Sequence, residues 1–140
     1  MVIMGLCFER GMCMEERHLT ESEEDYLESV LMITKEKGIC HSVDIVNHLQ
    51  HRKSSVSVAL SKLEEKGYLR KEGRDIILTE SGMQAATHVY ERHLFFKNAL
   101  MELGIDENQA EDEACAIEHD ISDDTFRRIQ ARVQELRGEQ

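Results

Sequence analysis

Proline is absent from the 140-residue chain, so nothing in it is obliged to break a helix and long uninterrupted helices are favoured. Tryptophan is absent too, and with only three tyrosines and four phenylalanines the core must be mostly aliphatic. Hydrophobic residues make up 41%, enough for one large domain or two small ones. No apolar run comes near the roughly 18 residues of a membrane span. The opening MVIMGLCFER is too short and too interrupted for a secretory signal. The four cysteines, Cys7, Cys13, Cys40 and Cys115, lack any CxxC spacing. Together with the lack of an export signal, this argues against a disulfide framework and for a reduced, cytoplasmic protein. Internal repeats and low-complexity segments are also lacking. Positive charge is in deficit, with a formal net charge of −11, which excludes a uniformly basic protein that coats nucleic acid.

That acidity reverses locally. Between His51 and Arg74 the seven bases Arg52, Lys53, Lys62, Lys66, Arg70, Lys71 and Arg74 meet only Glu64, Glu65 and Glu72, a local charge of +4. A solvated helix face with ordinary ion pairs gives the same count, so the surrounding elements decide its meaning. Residues 1–17 show no clear period and read as a flexible tail, with Met14 as an alternative start. Thr20 followed by Glu23 is a capping box, with Glu21 and Glu24 suited to a helix N-terminus. Tyr26, Leu27, Val30, Leu31 and Ile33 then form an apolar helix face that Gly38 ends. Ser42 is expected to cap a short second helix with Val43, Val46 and Leu49 pointing inward. A third helix opens at Arg52-Lys53-Ser54-Ser55 and ends at Gly67. Tyr68–Lys71 and Asp75–Leu78 read as strands joined by Glu72-Gly73-Arg74, a hairpin.

Three short helices and a small basic hairpin describe a winged helix-turn-helix. Thr79 caps a long helix to about Leu103, roughly 35 Å at about 1.5 Å per residue, and the domain boundary is expected inside it. Asp106 caps a fifth helix through His119, and Ser122 with Asp123 and Asp124 opens a sixth. The fold class is therefore mainly α.

On the third helix Val56, Ala59, Leu60 and Leu63 repeat at helical spacing and must pack inward. Ser54, Ser57, Val58, Ser61 and Lys62 form the opposite face, with Ser55 in the first turn. Small side chains let a helix approach base edges, and hydroxyls bond bases or phosphates. Arg52, Lys53, Lys62 and the hairpin residues Lys71 and Arg74 then fall near the phosphate backbones. Helix-turn-helix, wing and local charge agree on double-stranded DNA as the partner.

A second constellation is Cys115-Ala116-Ile117-Glu118-His119. Residues at i, i+3 and i+4 share a helix face, and a thiolate, a carboxylate and an imidazole there make half of a transition-metal site. An exposed Glu-His beside a buried Cys would look the same. Asp25 and Glu28 form an acidic i, i+3 pair that is equally ordinary surface charge, and His93 suits a satisfied, partly buried histidine.

Taken jointly, these elements are specific. Glu24-Asp25-Tyr26-Leu27-Glu28, Ser54-Ser55-Val56, Lys62-Leu63 to Gly67-Tyr68-Leu69, Leu78-Thr79-Glu80-Ser81-Gly82, His93, Leu103-Gly104 and Glu118-His119-Asp120-Ile121-Ser122 match in order and spacing over about residues 20–137. In them the chain resembles the diphtheria-toxin-repressor family, close to its short manganese-transport-regulator branch. The chain ends where that branch ends, without the SH3-like third domain of many iron-responsive members. The resemblance implies a winged helix-turn-helix over 18–82 and a helical metal-binding and dimerisation domain over 83–140, linked by the helix at about 80–103. It places Asp25, Glu28, His93, Cys115, Glu118 and His119 at the metal positions. The manganese branch usually has Glu at position 115 and the iron branch Cys, whereas Asp25 resembles the manganese branch. Where the iron branch has an ancillary site, with an acid after His93 and a His before Cys115, this chain has Lys97 and Glu111.

The function implied is a metal-responsive, DNA-binding regulator that represses metal-uptake genes as a cytoplasmic homodimer on a palindromic operator. Fe(II) or Mn(II) is the expected cofactor, Co(II) and Zn(II) are alternatives, and no organic cofactor is expected. Metal would fix the two domains at the angle that a DNA-competent dimer needs. Phe126, Ile129, Val133 and Leu136 repeat at helical spacing, either closing the subunit's own core or covering a dimer partner through about residues 105–137; the resemblance tips this to the dimer. The alternative is a winged-helix regulator that senses oxidation through Cys115. A metallohydrolase is set aside for want of a cleft, a lid or a distinct general base, so no enzyme is expected.

Overall fold

Thr20 and Glu23 close a capping box at the start of α1 (Glu21–Lys37). The Thr20 hydroxyl accepts from Glu23 N–H at 3.1 Å, and the Glu23 carboxylate accepts from Thr20 N–H at 3.0 Å. The computed structural model describes residues 19–138; the expected tail over 1–17, with Met14, Cys7 and Cys13, lies outside them. The chain divides into two units, Met1–Ala86 and Thr87–Gln140.

In the first unit, Tyr26, Leu27, Val30, Leu31 and Ile33 are all buried. Gly38 ends α1 with φ +86°, a left-handed conformation that glycine adopts without steric cost. α2 (Ser42–Leu49) starts differently from the sequence expectation. His41, not Ser42, is its N-cap, because the Asp44 carboxylate reaches back to accept from His41 N–H at 2.9 Å. The buried face is different as well. Ile45 is fully buried while Val43 is 53% exposed, so the inward stripe runs through Ile45 and Leu49, one turn apart. α3 (Lys53–Glu65) buries Val56, Leu60 and Leu63 as its spacing requires. Lys66, just past its end, reaches Glu23 at 2.8 and 2.9 Å. Burial opposes ionisation of Glu23, but the bonds from Lys66 and from Thr20 N–H outweigh it and lower its pKa.

The hairpin pairs β1 (Leu69–Glu72) with β2 (Asp75–Leu78), in register Leu69↔Leu78 through Glu72↔Asp75. β2 matches the sequence expectation, whereas β1 lies one residue later than expected, starting at Leu69 and reaching Glu72 at the turn. Gly73, at φ +63°, allows a two-residue connection, so Glu72 joins the ladder. β2 is also tied on its other side, where Ile76 N–H donates to the Cys40 carbonyl at 2.8 Å. The Cys40 thiol is fully buried, and burial, reinforced by Asp44, pushes its pKa up to about 12, which leaves it unreactive.

α4 (Glu80–Glu102) starts as its sequence predicts, with the Thr79 hydroxyl accepting from Gly82 N–H at 3.1 Å. Its first turn is docked on the corner between α3 and β1. Thr79 Oγ1 donates to the Gly67 carbonyl at 2.6 Å and Thr79 N–H to the Tyr68 carbonyl at 3.1 Å. A Cβ at Gly82 would lie 1.8 Å from that Tyr68 oxygen, so only glycine fits there.

The second unit packs the rest of α4 with α5 (Glu107–Glu118) and α6 (Asp123–Gly138). Asp106 caps α5, accepting from Asn108 and Gln109 N–H, and Ser122 Oγ accepts from Thr125 N–H at 3.1 Å at the start of α6. Phe96, Ala114 and Phe126 form the core, with Phe95, Ile117, Ile121 and Ile129 packed around it. Arg92 is buried there and bridges the α5–α6 corner. It donates to the Glu118 carbonyl at 2.5 Å, the Ile121 carbonyl at 2.6 Å and the Asp123 carboxylate at 2.7 Å, with its guanidinium 5.2 Å from the Phe126 ring centre. The α6 stripe leaves this core toward its C-terminus: Phe126 is buried, and Leu136 is 48% exposed. Among the described residues no helix is long and apolar enough to cross a membrane.

Candidate functional site

Helical geometry puts Glu111, Cys115 and Glu118 (i, i+4, i+7) on one face of α5, and His119 ends the helix as its C-cap. The donor atoms of Cys115, Glu118 and His119 lie within 4.8 Å of one another. Glu118 Oε1 is 3.4 Å from His93 Nδ1 on α4 and 3.7 Å from His119 Nε2. These side chains are nearly sealed: Glu118 is 1% exposed, His119 2% and His93 5%. A carboxylate that deep is costly unless positive charge sits beside it. One carboxylate, two imidazoles and a thiol form a mixed oxygen, nitrogen and sulfur set that suits a borderline divalent transition metal. The donor set fits the expected cation.

His93 is held from its other nitrogen, with Nε2 2.6 Å from Glu111 Oε2. The second oxygen of Glu111 lies 2.9 Å from Lys97 Nζ. Burial opposes ionisation of Glu111, but the Lys97 bond and the neighbouring His93 outweigh it and lower its pKa. Asp25 and Glu28 lie i, i+3 on α1 in the first unit, Glu28 buried and Asp25 half-buried. The Cys115 side chain is half-buried.

In the first unit Arg52, Lys53, Ser54, Ser55, Ser57, Ser61, Lys62, Lys71 and Arg74 are all exposed. Val58 lies among them at 63% exposure, a large apolar side chain left in solvent on the face assigned to DNA. Lys71 is 3.8 Å from Glu64, and Arg70 pairs with Glu72. Lys66 contributed to the local positive count but is bound to Glu23 and does not belong to this surface. Sequence reasoning missed Arg92, which fixes the carbonyl of Glu118. A basic residue beside a candidate ligand was its only trace, and the carbonyls it binds become partners only when α5 and α6 fold together.

Two family models match the chain in succession. The iron dependent repressor N-terminal DNA binding domain covers residues 18–75, and the iron dependent repressor metal binding and dimerisation domain covers 79–138. The HTH-type transcriptional regulator MntR of Bacillus pumilus is 35% identical over 116 residues, 82% of this chain and 81% of that protein. An uncharacterized HTH-type transcriptional regulator of Methanocaldococcus jannaschii is 32% identical over 122 residues, 85% of this chain and 98% of that one. Among solved structures, IdeR of T. acidophilum superposes with a TM-score of 0.72 at 27% identity, over 83% of this chain and 55% of that chain. A manganese-dependent transcriptional repressor in complex with manganese gives 0.71 at 27% identity, over 80% and 52%. The chain thus spans about half the length of these two solved relatives.

Proposed function

The chain belongs to the iron-dependent repressor family of metal-responsive transcriptional regulators, and from that premise we propose that it represses metal-uptake genes in the cytoplasm when Fe(II) or Mn(II) is available. The observation that carries this reading is Glu118, buried between His93 and His119 beside the Cys115 thiol. The proposed ligand set is Asp25, Glu28, His93, Cys115, Glu118 and His119. For the first two it rests on the resemblance, and for the other four also on their geometry. When bound, the cation supplies the positive charge that the acidic donors lack. Without it, two like charges about 4 Å apart repel by about 1 kcal/mol in water and about 4 kcal/mol at an effective dielectric of about 20. If, as the resemblance implies, Asp25 and Glu28 engage the cation together with the ligands of the second unit, that engagement would set the spacing of the two recognition helices in a dimer. A palindromic operator requires that spacing near one DNA turn, roughly 34 Å, and a coupling of about 1–3 kcal/mol suffices to change DNA affinity many-fold. Operator binding titrated against Mn(II), Fe(II), Co(II) and Zn(II) at buffered free concentrations tests this; affinity that ignores every metal would overturn it. The relatives are regulators rather than enzymes, and an oxidation sensor working through Cys115 is not favoured.

Cys115 decides the metal preference. If its thiolate is a ligand, Co(II)-loaded protein shows a sulfur-to-metal charge-transfer band, and Cys115→Glu abolishes it while shifting preference toward Mn(II), because a hard oxygen replaces a soft sulfur. Absence of the band in demonstrably loaded wild type removes Cys115 from the ligand set and leaves the other five.

The family's C-terminal domain is a dimerisation domain, and the exposed Leu136 on the α6 stripe supports a homodimer of this chain through about residues 105–137. Sedimentation is expected to give a dimer at micromolar concentration. A monomer both with and without metal contradicts that.

A further inference from the structure

His93 offers two ring nitrogens, and the sequence does not say which of them meets a cation. Nε2 is 2.6 Å from Glu111 Oε2, and Nδ1 is 3.4 Å from Glu118 Oε1, the oxygen that His119 Nε2 approaches at 3.7 Å. An ionised carboxylate only accepts hydrogen bonds, so the short contact to Glu111 makes Nε2 the protonated nitrogen. Nδ1 is then the nitrogen on the side of the donor cluster. Glu111 is itself constrained, with one oxygen on the imidazole and the other 2.9 Å from Lys97 Nζ. Lys97 also lies 3.5 Å from Glu107, one turn earlier on α5. The spacing builds this relay: His93 and Lys97 are one turn apart on α4, as are Glu107 and Glu111 on α5.

We propose that Glu111 is a positioning residue for His93, holding Nε2–H so that Nδ1 is the nitrogen presented to a divalent cation, and that Lys97 keeps Glu111 in that role. This rests on the metal-responsive reading above. A carboxylate behind a ligating imidazole fixes its tautomer and ring orientation, and losing such a partner typically weakens metal binding about 10–100-fold. The Lys97 ammonium adds a second effect. It engages the oxygen that Glu111 would otherwise turn toward a cation, so Glu111 remains an outer partner and not a ligand.

The test uses the full chain loaded with diamagnetic Zn(II) and labelled with ¹⁵N. Two-bond nitrogen–proton correlations distinguish metal-bound, protonated and bare ring nitrogens. The expected result is His93 with Nδ1 on the metal and Nε2 protonated, and, in Glu111→Gln, an affinity for Mn(II) alone lowered by about 10–100-fold. Metal on Nε2, or a Glu111→Gln variant with wild-type Mn(II) affinity, overturns the proposal. If Zn(II) moves the His119 resonances and leaves those of His93 at their metal-free positions, the proposal fails and the metal-responsive reading stands. If neither histidine responds to Zn(II) and Mn(II) is not bound, both fail. The wild-type spectrum needs no substitution, so a folding defect in the variant cannot mask the answer.

Discussion

Alanine in place of Gly82 lowers the stability of the first unit by about 3 kcal/mol or more, with a fall in Tm of roughly 10 °C. Propensity alone argues the other way, since Gly→Ala inside a helix ordinarily gains about 1 kcal/mol. The contact decides the sign. The added methyl would lie 1.8 Å from the Tyr68 carbonyl oxygen and 2.8 Å from its carbon, and neither backbone atom can rotate away as a side chain would. Relief requires lifting the first turn of α4 from the α3–β1 corner, which breaks the bonds from Thr79 to Gly67 and Tyr68. Gly138→Ala is the control, because nothing lies within 4 Å of its added Cβ. Thermal denaturation followed by circular dichroism checks both, and a Gly82→Ala protein as stable as wild type would falsify the docking described for α4.

Neutralising Arg52, Lys53, Lys62, Lys71 and Arg74 together is expected to make the dependence of log affinity on log salt shallower by about five units per recognition surface, about one for each phosphate contact. Operator affinity falls by about a thousandfold at physiological salt, and binding to unrelated DNA falls with it, because phosphate contacts carry no sequence information. The geometry favours a full loss. All five side chains are exposed; Lys71 lies 3.8 Å from Glu64, and Lys62 is near enough to Glu23 to help hold its carboxyl low. Lys66 supplies the contrast: Lys66→Met strands the Glu23 carboxylate, which is 10% exposed, and costs stability while leaving the salt slope alone. Fluorescence anisotropy across a salt series checks the prediction; an unchanged slope and affinity in the fivefold variant would show that DNA binds elsewhere.

Where one local rule was enough, the sequence could be read directly. Thr20 with Glu23 foretold a capping box, Asp106 and Thr79 foretold helix starts, and Val56, Leu60 and Leu63 foretold the buried side of α3; each rests on contacts within a few residues. α2 was misread because its eight residues hold little more than two turns, too short for the periodicity to fix the face. The N-cap choice there turned on where Asp44 pointed: it accepts from His41 N–H and also pairs with Lys37 at 2.9 Å. Of the candidate ligands, Cys115, Glu118 and His119 share one helix end, so spacing could group them but could not tell a ligand set from an ordinary Glu-His pair beside a Cys. His93 entered the set only through resemblance, because its approach to Glu118 crosses from α4 to α5. The roles of Arg92, Lys97 and Glu111 likewise depend on helix packing that no short sequence pattern records.

The wing has a bearing on self-association. β2 is tied on its far side by Ile76 to the Cys40 carbonyl, whereas β1 pairs with β2 alone among the described residues. An open strand edge is a template for zipping onto another copy, and proteins commonly guard it with charge and keep it short. β1 is four residues long and presents exposed Arg70, Lys71 and Glu72. Lys71, proposed to meet phosphate, therefore also helps keep the molecule from polymerising through its wings. At high concentration, bound DNA would shield this edge, and a wing stripped of charge would make the protein more prone to aggregate when DNA is absent.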